Sequence, residues 1–321
     1  MAWKILAYNE TMISLKQIHY ALAVEKTLHF KRAAEVCNIS QSALSTALSE
    51  MEKQLGFQVF ERDNRKVLVT PLGRQLLDRA RLIEVQMQDL QKLSEAQREP
   101  LSTPLAIGVI PTIGPYLLPR ILPALEENYP RLKLDIVEDQ TAEVLDLLRS
   151  GALDTAIIAL PYACADLLTF RFWTEDLLWV THRDNKRAGQ QAISVEELQQ
   201  ENLMLLKDGH CLTDHALAAC KLENRSNFSF SATSLATLLQ LVVGKIGSTL
   251  VPEIALEQLV AGNDSLTGVH LSEPGPHREL ALLVRPNYPS IGNIEALRNL
   301  IRAELTRQVP DSRGSRLAAV Q

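Results

Sequence analysis

The residues in this chain best suited to chemistry are two cysteines. Cys211 follows Gly209-His210, and Cys220 stands nine positions later. A deprotonated thiol attacks peroxides and disulfides, so two thiols this close invite a reversible disulfide. The residues between them are Leu, Thr, Asp, His and Ala, with no Gly or Pro, a composition that favours helix. A helix rising about 1.5 Å per residue would hold the two cysteines roughly 13 Å apart and on opposite faces. A disulfide needs their Cα atoms within about 7 Å. The pair can therefore join only if the segment refolds, which is the requirement of a redox switch.

Cys211 is expected at the start of that helix, where backbone N–H groups and the helix dipole favour an anion. Hydroxyls around such a sulfur would bind the oxygens of a peroxide and assist the leaving oxygen. Thr112 is expected at the end of a strand and Thr141 at the opening of a helix, both at the edge of a cleft. His215 is expected at the surface. Cys37 reads as a small apolar filler, and Cys164 has no matched partner in the sequence.

Periodicity gives the elements that must carry these residues. Amphipathic or capped segments predict helices at 15–27, 30–36 and 40–55, ended by Gly56, with Ser40 as N-cap of the third. Two short strands follow around Asp63-Asn64-Arg65. A long helix begins at Pro71 and runs to about residue 97. Its apolar positions Leu76, Ala80, Ile83, Met87 and Leu90 step by four and three, a coiled-coil seam that implies dimerisation. Beyond Pro100 and Pro104, apolar strands are expected at 105–110, 134–137, 155–160, 177–181, 203–206, 228–231, 247–251 and 280–284. Helices at about 115–128 and 141–150 lie among them. Alternation of this kind implies parallel sheets with helical crossovers, here two α/β lobes with a cleft at the carboxyl ends of the strands. The expected division is a flexible leader 1–12, a DNA-binding domain 13–70, a linker helix 71–99, a sensing domain 103–307 and a disordered tail 308–321.

Composition narrows the class. The chain has 321 residues, 46% hydrophobic and 22% charged, which is ordinary for a globular protein of two or three domains. No segment has the length and apolar content of a membrane helix, and no secretory signal is evident. Four cysteines without a disulfide-rich pattern suit a reducing cytosol, so a cytoplasmic location is expected. No metal ligand set or cofactor motif stands out. Residues 14–81 hold 11 Lys/Arg and 7 Asp/Glu, a net of +4 in a chain of net −5. A basic front end on an acidic body suggests a nucleic-acid-binding head.

In the third helix Leu44, Leu48, Met51 and Leu55 share one face, and Ser42, Thr46, Ser49 and Lys53 lie on the other. Short polar groups on the outward face suit close approach to base edges and phosphates. The preceding tight turn makes a helix-turn-helix. Arg62, Arg65 and Lys66 on the ribbon, and Lys31 and Arg32 on the second helix, are placed to reach flanking phosphates.

The run 33–45 (Ala-Ala-Glu-Val-Cys-Asn-Ile-Ser-Gln-Ser-Ala-Leu-Ser), with Leu55-Gly56, Phe60-Glu61-Arg62 and Thr70-Pro71-Leu72-Gly73, resembles the signature of LysR-type transcriptional regulators. The resemblance implies a winged helix-turn-helix, a linker helix and a two-lobed effector domain of the periplasmic-binding-protein kind. It also implies double-stranded promoter DNA and RNA polymerase as partners, and a dimer of dimers, a homotetramer. By it, Gln41, Ser42 and Ser45 approach the major groove, with Thr46 beside them. Many members carry a basic residue near Ser49-Glu50, which this chain lacks.

Within that family the effector domain is similar to the OxyR-type peroxide sensors, on residues 110–119, Gln140-Thr141, 208–212, Cys220 and 232–235. That resemblance implies hydrogen peroxide as signal, bound by Thr112, Thr141, His210 and Asp214, with Arg285 near the thiolate. It implies that Cys211 becomes a sulfenic acid which Cys220 resolves to a disulfide. The protein is then a regulator, typically an activator, of oxidative-stress genes and not an enzyme. Plainer readings stand beside these: core thiols, helix caps at Thr112, Thr141 and His210, a solvated acid at Asp214. Three rival classes are a LysR-type regulator with a small organic effector in the inter-lobe cleft, a thiol peroxidase, and an exported solute-binding protein. The DNA-binding head argues against the last two.

Overall fold

The computed structural model describes residues 13–63, 66–93, 99–219 and 231–307. It comprises two compact units, 1–92 and 93–321. The expected leader and tail lie outside the described residues.

The first unit begins with α1 (Leu15–Thr27), whose N-terminus is closed by a reciprocal Ser14–Gln17 capping box. α2 (Phe30–Val36) follows, then α3 (Gln41–Leu55), where Ser40 Oγ accepts the Ala43 N–H at 3.2 Å. Gly56 ends α3 at φ 74°, a conformation that costs glycine little. β1 (Phe60–Asp63) and β2 (Lys66–Val69) pair antiparallel as the wing. Glu52 Oε1 accepts the Val59 and Phe60 N–H groups at 2.8 and 3.1 Å, fixing the wing to α3. Leu44, Leu48 and Met51 are fully buried with Val24, Ala33, Phe60, Leu77 and Ala80. Each of the larger side chains contributes about 1.5–3 kcal/mol by that burial.

The long helix is α4 (Pro71–Lys92). Of its expected seam, Ala80 turns into the head's own core, whereas Ile83 and Leu90 are exposed, together with Leu82. The seam is thus divided between an inner and an outer face.

The second unit has two lobes. Lobe I contains β3 (Leu105–Val109), α5 (Gly114–Asn128), β4 (Leu134–Glu138), α6 (Thr141–Arg149), β5 (Thr155–Leu160) and β6 (Leu168–Glu175). The chain then crosses to lobe II, with β7 (Leu177–His182), β8 (Ala192–Ile193), α7 (Val195–Leu198), β9 (Leu203–Leu206), α8 (Cys211–Ala219), β10 (Ser231–Ala232), α9 (Leu235–Val243), β11 (Ser248–Pro252), α10 (Glu253–Leu259) and β12 (Leu266–Leu271). It returns with β13 (Arg278–Val284) and ends in α11 (Ile291–Arg307). The strand orders are β4-β3-β5-β13-β6 and β10-β9-β11-β7-β12-β8.

The sheets are mixed, which corrects the expectation of parallel sheets. β13 runs antiparallel to β5 and β6, and β7 runs antiparallel to β11 and β12. The reason is the double crossover. The other main strands of each lobe end at the cleft, but a strand arriving from the other lobe must begin there and run away from it. Both lobes share one apolar core containing Leu117, Ile157, Trp179, Leu250 and Leu282. No helix among the described residues is long and apolar enough to cross a membrane.

Candidate functional site

Cys211 opens α8 and is buried, 3% exposed, as a free thiol. The helix fills the whole segment that separates it from Cys220, which itself lies outside the described residues. Gly209 shapes the approach. It stands at φ +98°, a conformation that favours glycine, and it lies against the Gln140 side-chain amide, which a Cβ there would displace.

Lobe I supplies the groups that face the sulfur. The last bond from β3 to β5 is Ile110 N–H to the Ile157 carbonyl, at 3.3 Å. β3 then turns away, and the Ile110 carbonyl is taken by the N–H groups of Ile113 and Gly114, both at 2.9 Å. β5 continues to Leu160, so the Ala159 N–H has lost its neighbouring strand on that side, and it favours the anion of the nearby Cys211. Thr141, the first residue of α6, is 1% exposed. Its Oγ1 makes no full hydrogen bond, and its influence on the Cys211 thiol is to favour the anion.

Burial pushes the Cys211 thiol up from its ordinary range. The Thr141 hydroxyl and the Arg278 charge pull it down, Asp214 pushes it up, and the Ala159 N–H pulls it down. Burial prevails, so the resting sulfur is a thiol. His210 is buried beside it and held below the usual imidazole range by that burial. Asp214 is exposed on the first turn of α8.

His215 corrects the expectation of a surface residue. It is 3% exposed, its Nε2 lies 3.1 Å from the Pro161 carbonyl, and burial lowers its pKa. Its ring therefore packs α8 of lobe II onto the end of β5 in lobe I.

Thr112 lies three residues past β3, in the turn before α5, and is 2% exposed. Its partner is Arg278, a residue the sequence reading missed. Arg278 Nη1 donates to Thr112 Oγ1 and Nη2 to the Thr112 carbonyl, each at 3.2 Å. Its Nε donates to Glu175 Oε1 at 2.7 Å. Arg285, the basic residue expected here, does not join the site. It stands at the other end of β13 and donates to the carbonyls of Leu148 and Leu153, at 3.0 and 2.6 Å, closing the C-terminus of α6. In the sequence, Arg278 was marked by one signal: with Glu279 it heads the apolar run 280–284.

Cys164 is buried and lines a cavity of about 540 Å³ with Pro161, Tyr162, Leu167, Arg171 and Arg278. Cys37 is half-buried against the head's core, and burial raises its thiol.

In the head, Lys31, Arg32, Gln41, Ser42 and Thr46 are exposed and Ser45 is half-buried. Ser40 Oγ and Ser42 Oγ lie 3.0 Å apart at the start of α3. His29 Nδ1 accepts the Lys31 and Arg32 N–H groups at 3.2 and 3.4 Å, which orients the start of α2. Arg62 and Lys66 lie on the wing strands, with side chains outside the described residues, as is Arg65 altogether.

Residues 15–74 match the family described as bacterial regulatory helix-turn-helix protein, lysR family, and residues 98–306 match the LysR substrate binding domain. The chain is 37% identical over 291 residues to the HTH-type transcriptional regulator EstR of Acinetobacter baylyi, covering 90% of this chain and 96% of that protein. It is 35% identical over 294 residues to a hydrogen peroxide-inducible genes activator of Escherichia coli O6:H1, covering 91% and 96%. The structure of a full-length OxyR variant from Pseudomonas aeruginosa superposes with a TM-score of 0.75 at 33% identity, covering 91% of this chain and 95% of that one. A winged helix-turn-helix head and a two-lobed body, each matching its own family across nearly its whole length, make this chain a DNA-binding transcriptional regulator of the LysR family.

Proposed function

We propose that this regulator senses hydrogen peroxide at Cys211 and reports it through a disulfide to Cys220. The observation that carries the reading is the surrounding of one buried thiol on the first residue of α8: the Ala159 N–H, the Thr141 hydroxyl and the Arg278 charge all act on its sulfur. Thr112 and Thr141 would hold the two oxygens of the peroxide. Because Arg278 donates to the Thr112 oxygen, the Thr112 hydrogen is left to donate to a ligand. His210, buried beside Cys211, and Asp214, exposed on the first turn of α8, would complete the peroxide contacts.

The chemistry balances without a cofactor. The Cys211 proton leaves, and the thiolate attacks one peroxide oxygen. The O–O bond breaks, hydroxide departs and takes a proton, and Cys211 becomes a sulfenic acid. The Cys220 thiolate then attacks that sulfur, the S–S bond forms, and the S–O oxygen leaves as water. The net change is two thiols and one peroxide to one disulfide and two waters. A helical 211–219 segment spans roughly 12 Å at about 1.5 Å per residue, so bonding requires α8 to unwind. Loss of α8 removes the His215 contact on Pro161 and so alters how the two lobes meet.

We further infer that Gln41, Ser42, Ser45 and Thr46 read the major groove, with Lys31, Arg32, Arg62, Arg65 and Lys66 on phosphates. The exposed Leu82, Ile83 and Leu90 of α4 pair with a second copy, and two such dimers bind one promoter beside RNA polymerase. Peptide mapping under nonreducing conditions after a stoichiometric dose of peroxide tests the sensing step. A Cys211–Cys220 link is expected, with a footprint on DNA that changes in wild type and stays fixed in Cys211→Ser. Absence of that link overturns the reading. A match of 37% to EstR, a relative whose name carries no peroxide role, leaves the effector open and admits a second reading, a small organic effector with the cysteines incidental. That reading predicts DNA binding indifferent to peroxide.

A further inference from the structure

Glu175 ends β6, the strand that leaves lobe I, and Arg278 begins β13, the strand that returns. Both side chains are completely shielded from water. Glu175 Oε1 accepts Arg278 Nε at 2.7 Å and forms an ion pair with Nη2 at 2.7 Å. Glu175 Oε2 accepts the N–H of Ile254, at 2.8 Å, on the first turn of α10 in lobe II. The Ile254 carbonyl in turn accepts Arg120 Nη2 of α5 in lobe I at 3.2 Å. One carboxylate thus ties together the guanidinium that orients Thr112, the crossover between lobes and the start of a lobe II helix. A buried charge pair of this kind is weak evidence of a purely stabilising role, because apolar side chains of similar volume often do as well.

We propose that Glu175 is a positioning residue for the Cys211 site: its carboxylate anchors and partly neutralises the Arg278 guanidinium, and so sets the reactivity of the Cys211 thiol. The consequence for peroxide sensitivity rests on the peroxide reading above. Among the described residues, the charged and titratable groups facing this thiol are Arg278 from β13, Asp214 and His215 from α8, His210 before it and Tyr162 after β5. Glu175 works at one remove, through the single cation among them. With Glu175 ionised, Arg278 presents the thiol with a charge already countered on its other side. Replacing the carboxylate by an uncharged amide of the same shape keeps a hydrogen-bond acceptor and releases that charge toward the sulfur.

The test is the pH profile of Cys211 alkylation by iodoacetamide in the full-length protein, read at the Cys211 peptide by mass, with the peroxide oxidation rate measured in parallel. Glu175→Gln is expected to move the profile to lower pH and to raise the rate at pH 7 by roughly threefold or more. Glu175→Asp keeps the charge but withdraws it, and is expected to move the profile the same way by less; it serves if the Gln variant does not fold. In an Arg278→Met background an unpaired buried carboxylate takes up a proton, so adding Glu175→Gln is expected to change nothing further. A profile unmoved or moved to higher pH in the folded Gln or Asp variant overturns the proposal. So does an equal shift when Arg278 is absent. Alkylation reads the thiol alone. A wild-type Cys211 indifferent to peroxide therefore sinks the peroxide reading while the profile still judges Glu175.

Discussion

Gly209 and the Gln140 side-chain amide are in close contact: a Cβ on the glycine would lie 2.0 Å from Gln140 Oε1, so any larger residue must displace that amide. That contact brings the loop before α8 against the residue preceding Thr141, and so brings Cys211 to the Thr141 hydroxyl. Gly209→Ala is expected to cost about 1–2 kcal/mol for the positive φ. It should also slow Cys211 oxidation by displacing the Gln140 side chain next to Thr141. Chemical denaturation and stopped-flow oxidation measure the two effects. Unchanged oxidation in a destabilised variant would show that the close approach serves the fold alone.

Thr141→Val separates chemistry from packing. The Thr141 Oγ1 is buried without a full hydrogen bond, so its loss is expected to leave stability unchanged or raised by a few tenths of a kcal/mol. Because that hydroxyl favours the Cys211 anion, oxidation by peroxide should fall by roughly 10- to 100-fold. A destabilised variant with normal oxidation would mean that the hydroxyl is structural.

The two arginines at opposite ends of β13 are expected to part company. Arg278→Met breaks a buried ion pair, a loss of about 3–5 kcal/mol, and slows oxidation because Thr112 loses its donor. Arg285→Met removes charged donors from two carbonyls, a loss of about 2–3 kcal/mol, and leaves Cys211 chemistry intact. Oxidation slowed equally by both would argue that these are general effects of instability.

Stability should depend on pH in a definite sense. Burial holds His210 and His215 below their ordinary value of 6.5, so the folded protein binds fewer protons than the unfolded chain as pH falls. The stabilisation is present above about pH 6.5 and is lost as pH drops through the lowered values. Cys211 is raised, so its contribution is present at low pH and lost as pH rises above the free-thiol range, from 9.0 upward. Thermal melts from pH 5 to 10 check both limbs, and Cys211→Ser should flatten only the alkaline one.

On DNA, Gln41→Ala is expected to weaken the preferred site by about 1–3 kcal/mol and to relax base preference there. Lys31→Ala should weaken all sequences alike and reduce the salt slope of binding by about one. Titrations against specific and scrambled duplexes at several salt concentrations distinguish the two. Equal loss on both duplexes for the Gln41 variant would remove it from base readout.

Local signals determined much of this protein. The capped helices of the head, Gly56 as a left-handed stop and the buried face Leu44, Leu48 and Met51 follow from residues a few positions apart. The helix that begins at Cys211 and fills the segment before Cys220 was legible for the same reason. Other features needed the tertiary structure because they join residues distant in sequence. Arg278 meets Thr112 across 166 positions and Glu175 across 103. The Ala159 N–H is available to the sulfur only because a neighbouring strand turns away two residues earlier. The antiparallel course of β7 and β13 comes from the double crossing between lobes, which no periodicity records. His215 looked like a surface residue because its partner, the Pro161 carbonyl, is a backbone atom 54 positions away. Short-range patterning fixes which segments are helix or strand, whereas the field at a buried thiol is set by whichever distant groups the fold packs against it.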